Sequence, residues 1–260
     1  MIEDRAPGEA LAEVINLAER AGEVAAGWFG RVTGTRKSDG SLATEADLAT
    51  EEFLKQHLGR LFPGDEICSE ESPEQRRMGT GRVWSVDPLD GTHNFIAGLG
   101  LWAVSVGLME AGRPRLGGVC SPPLGVTWAG EQGAGAWRNG ELLAPPSGAP
   151  VECNDLVAVN TDMPFDLATL PGKKRNTGSA ALHACWVVSG VLRAAYFYHW
   201  ALWDLAGALC LAGETGVEAR WEDGRLLEDL SPVGASERQG TLVLAPAGLC
   251  ARLVGGLRGK

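Results

Sequence analysis

Residues 84–95, Trp84-Ser85-Val86-Asp87-Pro88-Leu89-Asp90-Gly91-Thr92-His93-Asn94-Phe95, constrain the fold more than any other part of the chain. Val83, Trp84 and Val86 are the β-branched and aromatic residues of a buried strand, and Pro88 and Gly91 are expected to break it at its end. Asp87 and Asp90 are then held near one another on irregular backbone. Two carboxylates so placed repel each other unless a cation lies between them. Carboxylates, a backbone carbonyl and water are ligands for Mg²⁺ rather than for zinc, which favours His and Cys. A bare Asp-x-x-Asp reads first as a solvated acidic turn; the full string reverses that in favour of the metal.

Residues 8–29 carry Leu11, Val14, Ile15, Ala18, Ala21, Ala25, Trp28 and Phe29 three and four apart, which predicts an amphipathic helix ending near Gly30. A loop over 31–42 follows, and a second helix starts at Thr44, with Asp47 as the acid of a capping box. Over 101–137, short apolar runs punctuated by Gly, Pro and acidic turns predict an antiparallel meander. Pro145-Pro146-Ser147-Gly148-Ala149-Pro150 is the clearest composition break, and it divides an α+β half, 1–147, from an α/β half, 148–260. In the second half, strands over 156–160, 194–198, 217–221 and 241–245 and helices over 179–191 and 203–212, with a short terminal helix, predict a mixed or parallel sheet. Lys173-Lys174-Arg175-Asn176 reads as a solvated turn, or as a receiver for a second phosphate.

Asp87-Pro88-Leu89-Asp90-Gly91-Thr92-His93-Asn94-Phe95 resembles the signature Asp-Pro-aliphatic-Asp-Gly-Thr-x-Asn-Phe of the inositol monophosphatase family, lithium-sensitive Mg²⁺-dependent phosphatases related to fructose-1,6-bisphosphatase. Glu70-Glu71-Ser72 is similar to the family's upstream acidic motif, and Trp203-Asp204-Leu205-Ala206-Gly207 to its C-terminal Trp-Asp-x-Ala-Gly. Residues 37–47, from Lys37 with Thr44 and Asp47 in place, are similar to its N-terminal loop and helix start. Alone, each is bland: an acidic turn at Glu70, a helix cap at Asp204, a capping acid at Asp47. Together, in one family's order, they extend the resemblance over roughly residues 10 to 220.

The resemblance implies a layered αβαβα sandwich and a phosphatase for a small phosphorylated metabolite. It implies about two or three Mg²⁺ ions, the first held by Glu70, Asp87 and the Leu89 carbonyl, the second by Asp87, Asp90 and Asp204. Thr92 and Asp47 would orient and deprotonate a water that attacks phosphorus directly, without a covalent phosphoenzyme. Gly91 and Thr92 would offer backbone N–H groups to the phosphate, and Gly178-Ser179-Ala180 resembles the turn that contacts the alcohol. A homodimer is implied as well. Inositol-specific members carry a glutamate seven residues before the C-terminal aspartate, and that position here is Phe197. An apolar ring cannot replace hydrogen bonds to a polyol. The expected substrate is an inositol-phosphate-like ester, a sugar phosphate or a related compound; the alternatives are a 3′(2′),5′-bisphosphate nucleotide, fructose 1,6-bisphosphate, or a non-catalytic regulatory role.

Composition removes other classes. A net charge of −10 does not suit a general nucleic-acid surface, which needs clustered Lys and Arg. No apolar run approaches the ~20 residues of a membrane span. Met1-Ile2-Glu3-Asp4-Arg5 is acidic, unlike a signal peptide, so a cytoplasmic protein is expected. The six cysteines lie far apart with no Cys-x-x-Cys pair and read as small buried hydrophobes. The four histidines form no metal-ligand spacing, and His93 fills the variable position of the signature. Trp200 and Trp203 are candidates to shape a substrate pocket.

Overall fold

The computed structural model describes residues 8–36, 42–72, 81–228, 230 and 240–258; Lys37 and the rest of 37–41 lie outside the described residues. Helix α1 (Glu9–Ala26) buries Leu11, Val14, Leu17, Ala18, Ala21 and Ala25 along one side. It stops about a turn earlier than the apolar spacing predicts, because Trp28 and Phe29 lie in the turn that follows it. Phe29 packs edge-on against Phe95, 5.2 Å between ring centroids. The short antiparallel pair β1 (Thr35–Arg36) and β2 (Leu42–Ala43) leads to α2 (Glu45–Leu61). The capping box expected at its start is formed: Ala46 N–H donates to Thr44 Oγ1 at 3.1 Å, and Thr44 N–H to Asp47 Oδ2 at 2.7 Å.

The first sheet has seven strands in chain order. β3 (Glu66–Ser69) runs parallel to β4 (Arg82–Asp90). From β4 the expected meander follows through β5 (Ala103–Glu110), β6 (Arg113–Ser121), β7 (Val126–Glu131), β8 (Gly135–Arg138) and β9 (Glu141–Leu142). One expectation needs correction: β4 does not break at Pro88. It continues to Asp90 with a bulge, since Asp87 pairs with Ser105 and Asp90 with Ala103, three steps on β4 against two on β5. Pro88, which lacks an N–H for the ladder, sits inside that bulge. Gly91, at φ 100°, then turns the chain into the short helix α3 (Thr92–Ile96).

The second sheet contains β10 (Leu156–Val159), β11 (Lys173–Arg175), β12 (Ala194–Phe197), β13 (Val217–Trp221) and β14 (Leu242–Pro246). Its order is β11-β10-β12-β14-β13, parallel across the first three and antiparallel beyond, the mixed sheet expected. The basic run read as a turn is the edge strand β11, and Lys174 Nζ folds back onto the carbonyls of Leu170 and Gly172 at 2.6 and 3.0 Å.

α1 and α2 cover one face of the first sheet, burying Leu54 and Leu58 with Trp84, Val86 and Val106. α4 (Ala180–Val188) and α5 (Leu202–Glu214) fill the layer between the sheets. α6 (Ala247–Arg258) closes the far side over Val157, Tyr196 and Val243. These layers are the αβαβα sandwich that the resemblance implies. The first sheet falls within 1–147 and the second within 148–260, yet α5 packs on β4, β5, β6 and β7 of the first. All six cysteines are free, and all but Cys153 are buried.

Glycines set how closely α5 approaches the first sheet. A methyl group at Gly117 would strike the Gly207 carbonyl, and one at Gly107 the backbone of Ala206. At Gly207 it would stand 2.8 Å from the Gly118 carbonyl and 2.9 Å from Ser105 Oγ. Rotamer changes cannot relieve a clash with main chain, so Gly117→Ala and Gly207→Ala are each expected to lower unfolding stability by about 1–3 kcal/mol through overpacking. Urea unfolding checks this against Gly213→Ala, on the same helix but with open space around it. Wild-type stability in both tight-contact variants would show that α5 is free to shift.

Candidate active site

The acids are presented by the ends of elements, and each is held by nearby main chain. Asp87, at the bulge of β4, accepts the Leu89 N–H at 2.8 Å. Asp90, at the end of β4, accepts the Ser179 hydroxyl, Ala181 N–H at 2.7 Å and Ala180 N–H at 3.3 Å. It therefore satisfies the N-terminal amides of α4 from the other half of the chain. Asp204, in the first turn of α5, accepts Ala201 N–H at 3.0 Å. Asp47 is fully buried in α2; it accepts the Thr44 N–H and, at 2.6 Å, the Thr44 hydroxyl, and Thr92 Oγ1 lies 3.3 Å from its second oxygen. Thr92 Oγ1 is also 3.1 Å from the Leu89 carbonyl, while the Leu89 side chain is buried with Phe95 and Trp102.

Glu70, Asp87, Asp90 and Asp204 share one cavity of about 170 Å³ with Leu42, Leu89, Gly91, Thr92, His93 and Gly178. Burial holds the Asp87 carboxyl well above the usual range, and the charges of Glu70, Asp90 and Asp204 add to the effect. Burial pushes Asp90 up to about 6, against the opposing bonds from Ser179, Ala181 and Ala180. Asp204 is raised by burial and then by Asp90, against the Ala201 N–H, with Glu70 adding a smaller push. A bound cation relieves such crowding of like charge. Among the described residues, no three His, Cys, Asp or Glu side chains form a ready-made metal cluster. The set implied by the family resemblance also draws on the Leu89 carbonyl, and carboxylate sites for Mg²⁺ are completed by water. The donors are hard oxygens on every side, which fits Mg²⁺.

The structure brings together the acids expected from the sequence, and Thr92 links Asp47 to them. Gly91 and Gly178 line the cavity, whereas the Ser179 hydroxyl and the Ala180 amide are engaged by Asp90. Trp200 and Trp203 do not shape the pocket: Trp200 packs at 5.6 Å on Trp221 in the inter-sheet core, and Trp203 lies with Cys68 and Val83. Phe197 is wholly buried. Sequence reading gave His93 no role, yet it lines the cavity; only its place in the signature marked it. Asn94 fixes the turn across the halves, donating to the carbonyls of Leu101 and Thr177 at 2.6 and 2.7 Å.

The model of the inositol monophosphatase family matches residues 8–248. The chain is 31% identical over 211 residues to the fructose-1,6-bisphosphatase/inositol-1-monophosphatase of Thermotoga maritima, covering 78% of this chain and 80% of that one. It is 33% identical over 213 residues to the histidinol-phosphatase of Chlorobaculum parvum, covering 78% and 82%. Among solved structures, a Thermotoga maritima IMPase superposes with a TM-score of 0.83 over 97% of this chain and 98% of that one, at 24% identity, a likeness of fold.

Behind the Gly178 turn, Thr177 is tied to His183 of α4: Thr177 N–H donates to Nε2 at 3.2 Å, and its hydroxyl lies 2.7 Å from the same nitrogen. Burial lowers the His183 pKa from 6.5 to about 4. The unfolded chain takes up this proton first, so the fold loses stability as pH falls from about 6.5 toward 4, by up to about 3 kcal/mol from this residue. Measured by urea unfolding, the stability difference between the wild type and His183→Gln is expected to shift against the wild type as pH drops from 7 to 4.5. A difference constant with pH would mean that the imidazole titrates normally.

Proposed function

The chain belongs to the inositol monophosphatase family and is a phosphoric monoester hydrolase; on that premise we propose that it cleaves a small phosphate monoester with Mg²⁺ held by Glu70, Asp87, the Leu89 carbonyl, Asp90 and Asp204. The observation that carries this reading is one cavity lined by four acids with Thr92, backed by buried Asp47. Bound there, Mg²⁺ supplies charge neutralisation at the phosphate and acidifies water.

The chain's own residues account for the rest. When Thr92 donates its hydroxyl proton to Asp47, its oxygen lone pairs are left to accept from a water in the cavity and hold it for attack at phosphorus. Among the described residues no Ser or Cys lines the cavity, which favours direct attack by water over a Ser- or Cys-bound intermediate. Gly91 and Thr92 lie where a phosphate would meet main chain.

The substrate class follows from what the alcohol side lacks. Phe197, at the position where inositol-specific members carry a glutamate, is buried and offers no polar side-chain atom, which favours a sugar phosphate or related ester over inositol phosphate. A bisphosphate is the second reading, because Lys173 and Arg175 are exposed on β11 while Lys174 is held by carbonyls. The proposal includes a cytoplasmic homodimer, as the family resemblance implies. No described helix is long and apolar enough to cross a membrane.

Phosphate release from a panel of phosphorylated metabolites is expected to require Mg²⁺ and to stop with chelator. Asp87→Asn and Asp204→Asn should lower it by about 100-fold or more, beyond the loss typical of outer-shell partners. Thr92→Ala should lower kcat by roughly 100-fold or more while leaving Mg²⁺ binding intact. Undiminished release in both aspartate variants would sink the proposal.

A further inference from the structure

A second cavity, of about 400 Å³ against about 170 Å³ for the carboxylate cavity, lies at the other end of α5. That volume is in the range of small-molecule sites, ~300–1,000 Å³. Leu209, Gly213 and Glu214 of α5 line one side of it, Arg113 and Pro114 of β6 another, and Glu228 joins them from the segment after β13. Glu214 ends α5 and Asp204 stands in its first turn, so the two cavities are roughly 15 Å apart along the helix.

The lining carries charges of both signs that are not matched to each other. Arg115, two residues along β6, pairs with Glu110 at 2.9 Å. Arg113 makes no ion pair among the described residues, although it shares the cavity with Glu214 and Glu228. Glu214 gives one oxygen to the Gly133 N–H at 2.8 Å, and Glu228 makes no ion pair among the described residues. The C-terminal end of α5 adds partial negative charge beside Glu214. Two carboxylates and the negative end of a helix thus stand against one guanidinium. A phosphate dianion would meet net repulsion here, so the cavity does not suit a second copy of a phosphorylated substrate. An ammonium fits the two carboxylates, a carboxylate fits the guanidinium, and Leu209 and Pro114 offer apolar surface between them.

We infer that this cavity is an effector site for an α-amino acid with an apolar side chain, its ammonium held by Glu214 and Glu228, its carboxylate by Arg113 and its side chain against Leu209 and Pro114. Bound in this way, the amino acid ties the C-terminal end of α5 to β6 of the first sheet. The same docking of α5 carries Asp204 into the carboxylate cavity. Amino acid and Mg²⁺ therefore favour one arrangement, and by linkage each tightens the binding of the other. This coupling rests on the reading of the acids as Mg²⁺ ligands; the binding of the amino acid does not.

Calorimetric titration of the Mg²⁺-free protein with L-valine, L-leucine, L-methionine and L-phenylalanine, each up to about 10 mM so that even millimolar affinity registers, tests the site. At least one is expected to bind saturably. Its methyl ester, which lacks the carboxylate, and the matching acid without the amino group should each bind about 5-fold or more weakly. Arg113→Gln and Glu228→Gln change exposed side chains and should weaken binding to a similar degree while urea unfolding stays as in the wild type. The bound amino acid should lower the Kd for Mg²⁺ about 5-fold, and Mg²⁺ should lower that of the amino acid by the same factor. No binding by any of the four, or binding unchanged in the ester, the acid and both variants, overturns the site. Binding that leaves the affinity for Mg²⁺ unaltered overturns the effector role. Saturable amino-acid binding in a wild type that takes up no Mg²⁺ overturns the metal reading alone and supports the site.

Discussion

The contact of Gly207 with Gly117 and Gly118 is the one on which the rest of the molecule depends. With no β-carbon on either side, α5 lies against the first sheet main chain to main chain. That depth brings Trp203 beside Cys68 and Val83 and carries Asp204, one residue on, into the cavity with Asp87 and Asp90. The helix comes from the second half of the chain and the sheet from the first, so the site exists only when the two are fully docked. Displacements of about 1 Å at a reacting centre can cost on the order of 100-fold in rate, so a methyl group far from any substrate is enough to disturb the chemistry.

Docking creates an electrostatic problem that the fold answers locally. Crowded, buried carboxylates disfavour their own ionisation, as the raised Asp87, Asp90 and Asp204 show. Each of the three accepts an N–H from main chain, and Asp90 receives the amides that begin α4. Asp47 sits one layer back, oriented by both groups of Thr44. These bonds hold each oxygen in place without neutralising it. The arrangement keeps the charge available to a cation and the geometry independent of it.

Much of this was legible in the chain because it is encoded locally. The capping box of Thr44 and Asp47, the spacing of α1 and the punctuated meander are short-range patterns, and they give elements where the sequence places them. The acids were found through the order of their motifs. What escaped detection depends on partners distant in sequence. β4 continues past Pro88 because β5 tolerates a bulge opposite Asp87 and Asp90, and Lys173–Arg175 becomes a strand only because β10 lies beside it. Ser179 stands in the turn that the resemblance gives to the alcohol, and its hydroxyl donates to Asp90, 89 residues earlier in the chain. Trp200 and Trp203 looked available for a pocket until the inter-sheet layer formed around them.

The bridge from Asn94 to Thr177 has a different kind of consequence. Asn94 grips the carbonyls of Leu101 and Thr177, and Gly178 must lack a β-carbon because one would stand 2.9 Å from the Asn94 amide. Carbonyl oxygens are supplied by every amino acid, so apart from that glycine this bridge does not read the side chains at positions 101 and 177. The side chains at 101 and 177 can therefore be exchanged over evolutionary time while the turn after β4 stays tied to the turn after β11.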